Sequence, residues 1–171
     1  MVATSTAVSA TDAVDVQAKA VMVANLIKTG ASAMVGAATT TTNAADATTQ
    51  FNSLSNFVIQ GLVQNLKSAA ETGQTVQLSD SSSIGNVLNS ALTTAAKAGT
   101  VVLDTSKATD ALNATSMALA NVNEFITAAA GSAANGGNVA QALTQVVQAQ
   151  VVAQGSSLAL SGPPSEGLGL W

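Results

Sequence analysis

Phe51-Asn52-Ser53-Leu54-Ser55-Asn56-Phe57-Val58-Ile59-Gln60-Gly61-Leu62-Val63-Gln64-Asn65-Leu66 carries the clearest periodicity in the chain. Phe51, Leu54, Val58, Leu62 and Leu66 recur at steps of three or four residues, the spacing of one helix face. The residues around this stretch continue the helical reading. No proline occurs before Pro163 and Pro164. A proline in a helix interior costs about 3 kcal/mol, and alanine, the strongest helix former, dominates the proline-free region. The expected fold is all-α, with about five helices and a long Ala-rich helical hairpin at the N-terminus.

The helix built on this stretch runs from about Ala44 to Ala70, after Thr39–Thr42, which reads either as a β-branched break with Asn43 as a candidate N-cap or as a continuing Thr-rich helical face. The preceding helix starts near Thr11 or Asp12 and runs to about Ala38. Val14, Val21, Ile27 and Met34 fall on one side of it, with seven-residue steps that suit a helix–helix seam. Asp80–Ser83 forms a cap cluster before a third helix striped by Ile84, Val87, Leu88, Ala91, Leu92 and Ala95. Gly99 stops that helix. Asp104 and Thr105 cap a fourth, to about Ala130, whose apolar side holds Leu112, Leu119, Val122, Phe125 and Ile126. Asn135-Gly136-Gly137-Asn138 is a turn. A fifth helix follows from Val139 to about Gln154, with Val139, Leu143, Val146 and Val147 assigned to one face. Gln74–Ser79 and Thr100–Leu103 are expected either as one short two-stranded β-ribbon or as loops. Residues 1–155 read as a single helical assembly domain and 156–171 as an extended Pro/Gly tail.

The composition argues against chemistry. The chain of 171 residues is 47% hydrophobic, 2% aromatic and 8% charged, with no His and no Cys. Soluble domains carry roughly 25% charged residues. Without His or Cys, the usual bases, nucleophile pairs and zinc ligands are missing. Asp near helix starts suits capping far better than acid–base work. No glycine pattern forms a phosphate loop. The expectation is a protein that is not an enzyme and has no cofactor or metal site. A net charge of −4 and a pI near 4.3 offer no footprint for nucleic acid. The N-terminal residues lack the basic and apolar blocks of a secretory signal, and no apolar run reaches the ~18 residues of a membrane span.

Low charge also weakens the repulsion that keeps molecules apart. The expected function is therefore structural: low-charge helices that self-associate into a homopolymer such as a filament or ribbon. Candidate self-association residues are Val14, Val21, Ile27, Met34, Phe51, Leu54, Phe57, Val58, Leu62, Phe125 and Trp171. The sole tryptophan ends a Leu168-Gly169-Leu170-Trp171 segment that suits a groove on a neighbouring molecule, with a disordered tail or packing against the chain's own domain as the plainer alternatives. With no His, any pH response falls to carboxylates, of which Asp12, Asp15, Asp46, Glu71 and Glu124 are the candidates.

Thr11-Asp12-Ala13-Val14, then Ala31-Ser32-Ala33-Met34, then Asn43-Ala44 with Ala47 and Gln50 resemble the opening of the RebB "killing trait" family. The resemblance covers about residues 10–65. It departs from the family where Leu26–Gly30 stand in place of a Gly and Pro, and where Gln50 stands in place of a Gln pair. RebB proteins polymerise into R-bodies, bacterial ribbons that extend on a trigger such as acidification. The resemblance implies a cytoplasmic polymer of like chains, with a related co-assembling subunit as a further partner. Two other readings fit the composition: an extracellular silk-like fibre subunit akin to a spidroin helical repeat, and an amphipathic coat on an apolar inclusion, similar to a phasin. An ordinary Ala-rich bundle with a Ser/Thr surface is the plainest alternative.

Overall fold

The computed structural model describes residues 9–39 and 44–160, and the side chains of residues 44, 45 and 156–160 are outside that description. Five helices follow in order: α1 (Ala10–Gly36), α2 (Ala44–Glu71), α3 (Ser81–Ala98), α4 (Thr105–Ala134) and α5 (Val139–Leu160). Local chemistry fixes their ends. The Ser9 hydroxyl accepts the Asp12 N–H at 3.1 Å. Asp80 accepts the Ser83 N–H at 2.8 Å, and Asp104 accepts those of Ser106 and Lys107, each at 3.1 Å. Asn138 accepts the Gln141 N–H at 3.2 Å and so starts α5. These side chains satisfy N–H groups that have no partner within the helix.

Glycine closes α2 and α3. At the end of α2, Gln74 N–H reaches back to the Ala69 carbonyl and Gly73 N–H to Ala70, while Gly73 takes φ +68°. That is the paired closure a left-handed residue permits. Gly99, at φ +64°, ends α3.

The β-ribbon is absent among the described residues. Gln74–Gln77 has no regular structure, and Leu103 forms one isolated antiparallel bridge with Ala38 instead of pairing with it. Asp104 N–H to Ala37 carbonyl and Thr39 N–H to Val102 carbonyl, both 2.9 Å, hold that crossing. It sets the end of α1 beside the start of α4, so these two helices run antiparallel. A second correction concerns the tail: α5 continues through residues 156–160. The Asn43 cap and residues 161–171, Trp171 included, lie outside the described residues.

α1 packs on α2, α4 and α5 and touches α3; α2 packs on α3, α3 on α4, and α4 on α5. Helices α1–α4 thus form a four-helix bundle, and α5 lies along the α1/α4 pair. Buried apolar residues fall into two clusters. One holds Leu26, Met34, Leu54, Val58, Ile84, Leu88 and Leu112 between α1, α2, α3 and α4. The other holds Val14, Val21, Met22, Ile126, Val146 and several alanines between α1, α4 and α5. Gly30 permits the tight crossing in the first cluster: a Cβ there would stand 2.5 Å from Leu88 Cδ2. Gly61 does the same for α2 and α3, where a Cβ would stand 2.5 Å from the Val87 carbonyl oxygen.

Polar residues separate the clusters. Asn25 on α1 and Asn123 on α4 are fully buried. Thr127 meets Met22 at 3.8 Å, and the antiparallel register then sets Asn25 and Asn123 at one level. Asn123 donates to the Leu78 carbonyl at 2.6 Å. Neither amide atom of Asn25 has a hydrogen-bond partner among the described residues.

Candidate association surface

Apolar side chains that the fold leaves outside are the most distinctive surface feature. On α2, Ile59, Val63 and Leu66 are exposed; Val63 shows 58% of its surface. On α5, Leu143, Val147 and Val151 are exposed, rising along the helix from 37% to 65%. The physical cause is shared. A four-residue step overshoots one helical turn by about 40°, so a run of such steps spirals around the helix. On α2, Leu54, Val58 and Leu62 stay in the core, but Leu66 has rotated out of it. On α5, Leu143, Val147 and Val151 spiral onto the solvent side.

The inward side of α5 belongs instead to Ala142, Val146, Ala149 and Ala153, all buried. Leu143 and Val147, grouped from sequence on one face with Val146, are corrected to the outer surface, while Val146 is buried. Small alanines win the inward positions because they let α5 approach α1 and α4 closely. Among the described residues α2 and α5 do not touch each other, so the two strips belong to helices with no direct contact.

A third apolar feature lies between α4 and α5. Asn121, Val122, Phe125, Gln148, Ala149 and Val152 line an open groove of about 390 Å³. Phe125 and Val152 stand up from it, half or more exposed. No charged side chain lines it.

The structure distributes the sequence candidates unevenly. Val14, Val21, Met34, Leu54, Val58 and Leu62 are buried inside the chain's own core, and Ile27, Phe51 and Phe57 pack half-buried against it. Phe125 alone among the described candidates is exposed. Ile59, Val63 and Val151 are not singled out from sequence, and Val147 is named there only for a helix face. A helix apolar on more than its core side was the available signal.

The carboxylate candidates do not gather. Asp12 and Asp15 line a cleft of about 590 Å³ bounded by α1, α4 and the α2–α3 connection, with Lys19, Gln77 and Ser79. Asp15 is paired there with Lys19 at 2.7 Å, and both side chains are more than half exposed. Such a pair contributes about 0–1 kcal/mol. Glu71 faces Lys67 at 3.9 Å, Glu124 is exposed, and Asp46 is half-buried near the start of α2. Among the described residues, no group of three His, Cys, Asp or Glu side chains could hold a metal ion, and no helix is long and apolar enough to cross a membrane. Comparison with protein families, curated proteins and solved structures gives no match to this chain.

Proposed function

We propose that this chain is a structural subunit that self-assembles into an open polymer, a filament or ribbon of the R-body kind. The observation that carries the reading is the pair of apolar strips, Ile59-Val63-Leu66 and Leu143-Val147-Val151, on helices that do not meet among the described residues. One self-complementary patch closes a dimer. Two different faces that bind each other make a head-to-tail contact, which repeats without closing unless rotation forms a ring. Burial of these strips supplies about 25 cal/mol per Å². Five Lys and nine Asp and Glu in 171 residues offer little repulsion against it. The N-terminal likeness to RebB proteins supports the same reading and favours a bacterial cytoplasmic polymer with acid as a candidate trigger.

Negative-stain microscopy and sedimentation at neutral and acidic pH test it. The wild-type chain should form polymers. Val63→Lys or Val151→Lys alone should abolish them, because each face is needed for the chain to grow. Mixed together, the two variants should give heterodimers, since each keeps one intact face. A monodisperse monomer at high concentration under both conditions overturns the proposal. Polymers unaffected by either lysine move the contact elsewhere and overturn it equally.

A further inference from the structure

We infer that residues Leu168–Trp171 dock in cis into the α4/α5 groove, covering Phe125 and Val152. The groove and the segment match in chemistry. Ala149 forms a buried floor, and Val122, Phe125 and Val152 give apolar walls. Asn121 and Gln148 supply amides at its rim, able to bond an extended backbone. The segment offers Leu168, Leu170 and Trp171, spaced by a glycine that removes a side chain from the contact. Between Ser161 and Trp171 the sole charged residue is Glu166, which precedes the apolar part. A groove of about 390 Å³ falls within the ~300–1,000 Å³ of ordinary ligand clefts.

Reach and direction agree as well. α5 ends at Leu160, so Val152 lies roughly 12 Å back along its axis at 1.5 Å per residue. Gly162-Pro163-Pro164 follows directly, a sequence suited to leaving a helix and reversing. Ser161–Gly167 spans up to about 22 Å at the roughly 3.1 Å per residue of an extended proline-rich chain. That suffices to return the apolar segment to Val152 and Phe125. A tether this short keeps the segment at an effective concentration on the order of millimolar, which favours its own groove over a neighbour's. The groove flanks α5 on the α4 side, whereas Val147 and Val151 point away from the core. Docking therefore leaves the outer strip free and does not depend on polymer formation.

Trp171 is the sole Trp and the chain has no Tyr, so intrinsic fluorescence reads the position of this segment directly. In the dilute full-length protein, emission should lie to the blue of the same chain in denaturant, with acrylamide quenching reduced several-fold. Phe125→Asp and, separately, Val152→Asp should shift emission to the red and restore quenching while circular dichroism keeps its helical signal. Val63→Asp, on α2, should leave the emission unchanged. Denatured-like emission in the folded wild type overturns the inference. So does blue emission that both groove variants leave intact, which sets the indole elsewhere. Blue emission lost on dilution assigns the groove to a neighbouring copy and also overturns docking in cis.

Discussion

The two ends of α1 lie in different kinds of core. Its C-terminal half joins α2, α3 and the first part of α4 around Leu26, Leu54, Leu88, Leu112 and Leu119. Its N-terminal half joins α5 and the last part of α4 around alanines, with Val14, Val21, Val146, Met22 and Ile126 as the large members. The first core draws its stability from leucines wedged between helices. The second draws helices together through small side chains and buries less apolar surface per residue. On α5, Leu143, Val147, Val151 and Val152 are then left on its outside, and Val146 alone among its described large apolar side chains is buried. The difference teaches that one chain can divide its labour: a leucine-filled end that fixes the bundle, and an alanine-filled end whose outer apolar side chains are available to other surfaces.

The contrast is open to direct attack. Leu88→Ala should cost about 2–5 kcal/mol in urea unfolding, because Leu88 is fully buried between α1 and α3. Ile126→Ala, the matched truncation in the other core, should cost less, about 2–3 kcal/mol, because its neighbours there are mostly alanines. Equal costs would erase the distinction between the ends. Gly61→Ala should destabilise by about 1–3 kcal/mol, since the added methyl meets the Val87 backbone. Gly30→Ala should cost less, because Leu88 Cδ2 is a side-chain end able to turn away. A thermal melt showing Gly61→Ala neutral or stabilising would break the close-crossing account of the first core.

At the boundary, Asn25→Leu should raise stability by about 1 kcal/mol by removing a buried amide without a protein partner. Loss of stability there would mean that the seam between the cores is held by polar contacts through water. The smallest effect concerns acid. The Ser83 backbone N–H, helped by its hydroxyl, holds the Asp80 carboxyl below the usual carboxylate range. A depressed value means the cap contributes fully above the unfolded value of about 3.9 and is lost as pH falls through the lower folded one. Asp80→Asn keeps a capping oxygen but cannot titrate. Its stability between about pH 5 and pH 2 should fall less steeply than that of the wild type.

Much of this was legible in the sequence because helix ends are local events. Asp80, Gly99, Asp104 and the Asn135–Asn138 turn each act through atoms a few residues away, and each marks a boundary seen in the structure. The α3 stripe was legible for a similar reason. Ile84, Val87, Leu88, Ala91, Leu92 and Ala95 are all buried, and their mixed steps of three and four hold one face. On α5 the same reasoning failed. Four-residue steps at Leu143, Val147 and Val151 resemble a face but spiral off it. Val76 and Val101 belong to segments that alternate or run apolar as strands do, yet the two segments do not pair with each other: both valines dock on helices, and the second segment makes only one isolated bridge, with Ala38.

By itself the sequence determined an all-helical chain, where most of its helices begin, and a surface with little charge to oppose contact. These depend on propensity, caps and composition, all of which act locally or as averages. Only the tertiary structure decided which apolar residues serve the core and which remain outside. That choice depends on how close two helices come, and closeness is set by pairs distant in sequence: Gly30 against Leu88, Gly61 against Val87, and alanines on α5 beside α1 and α4.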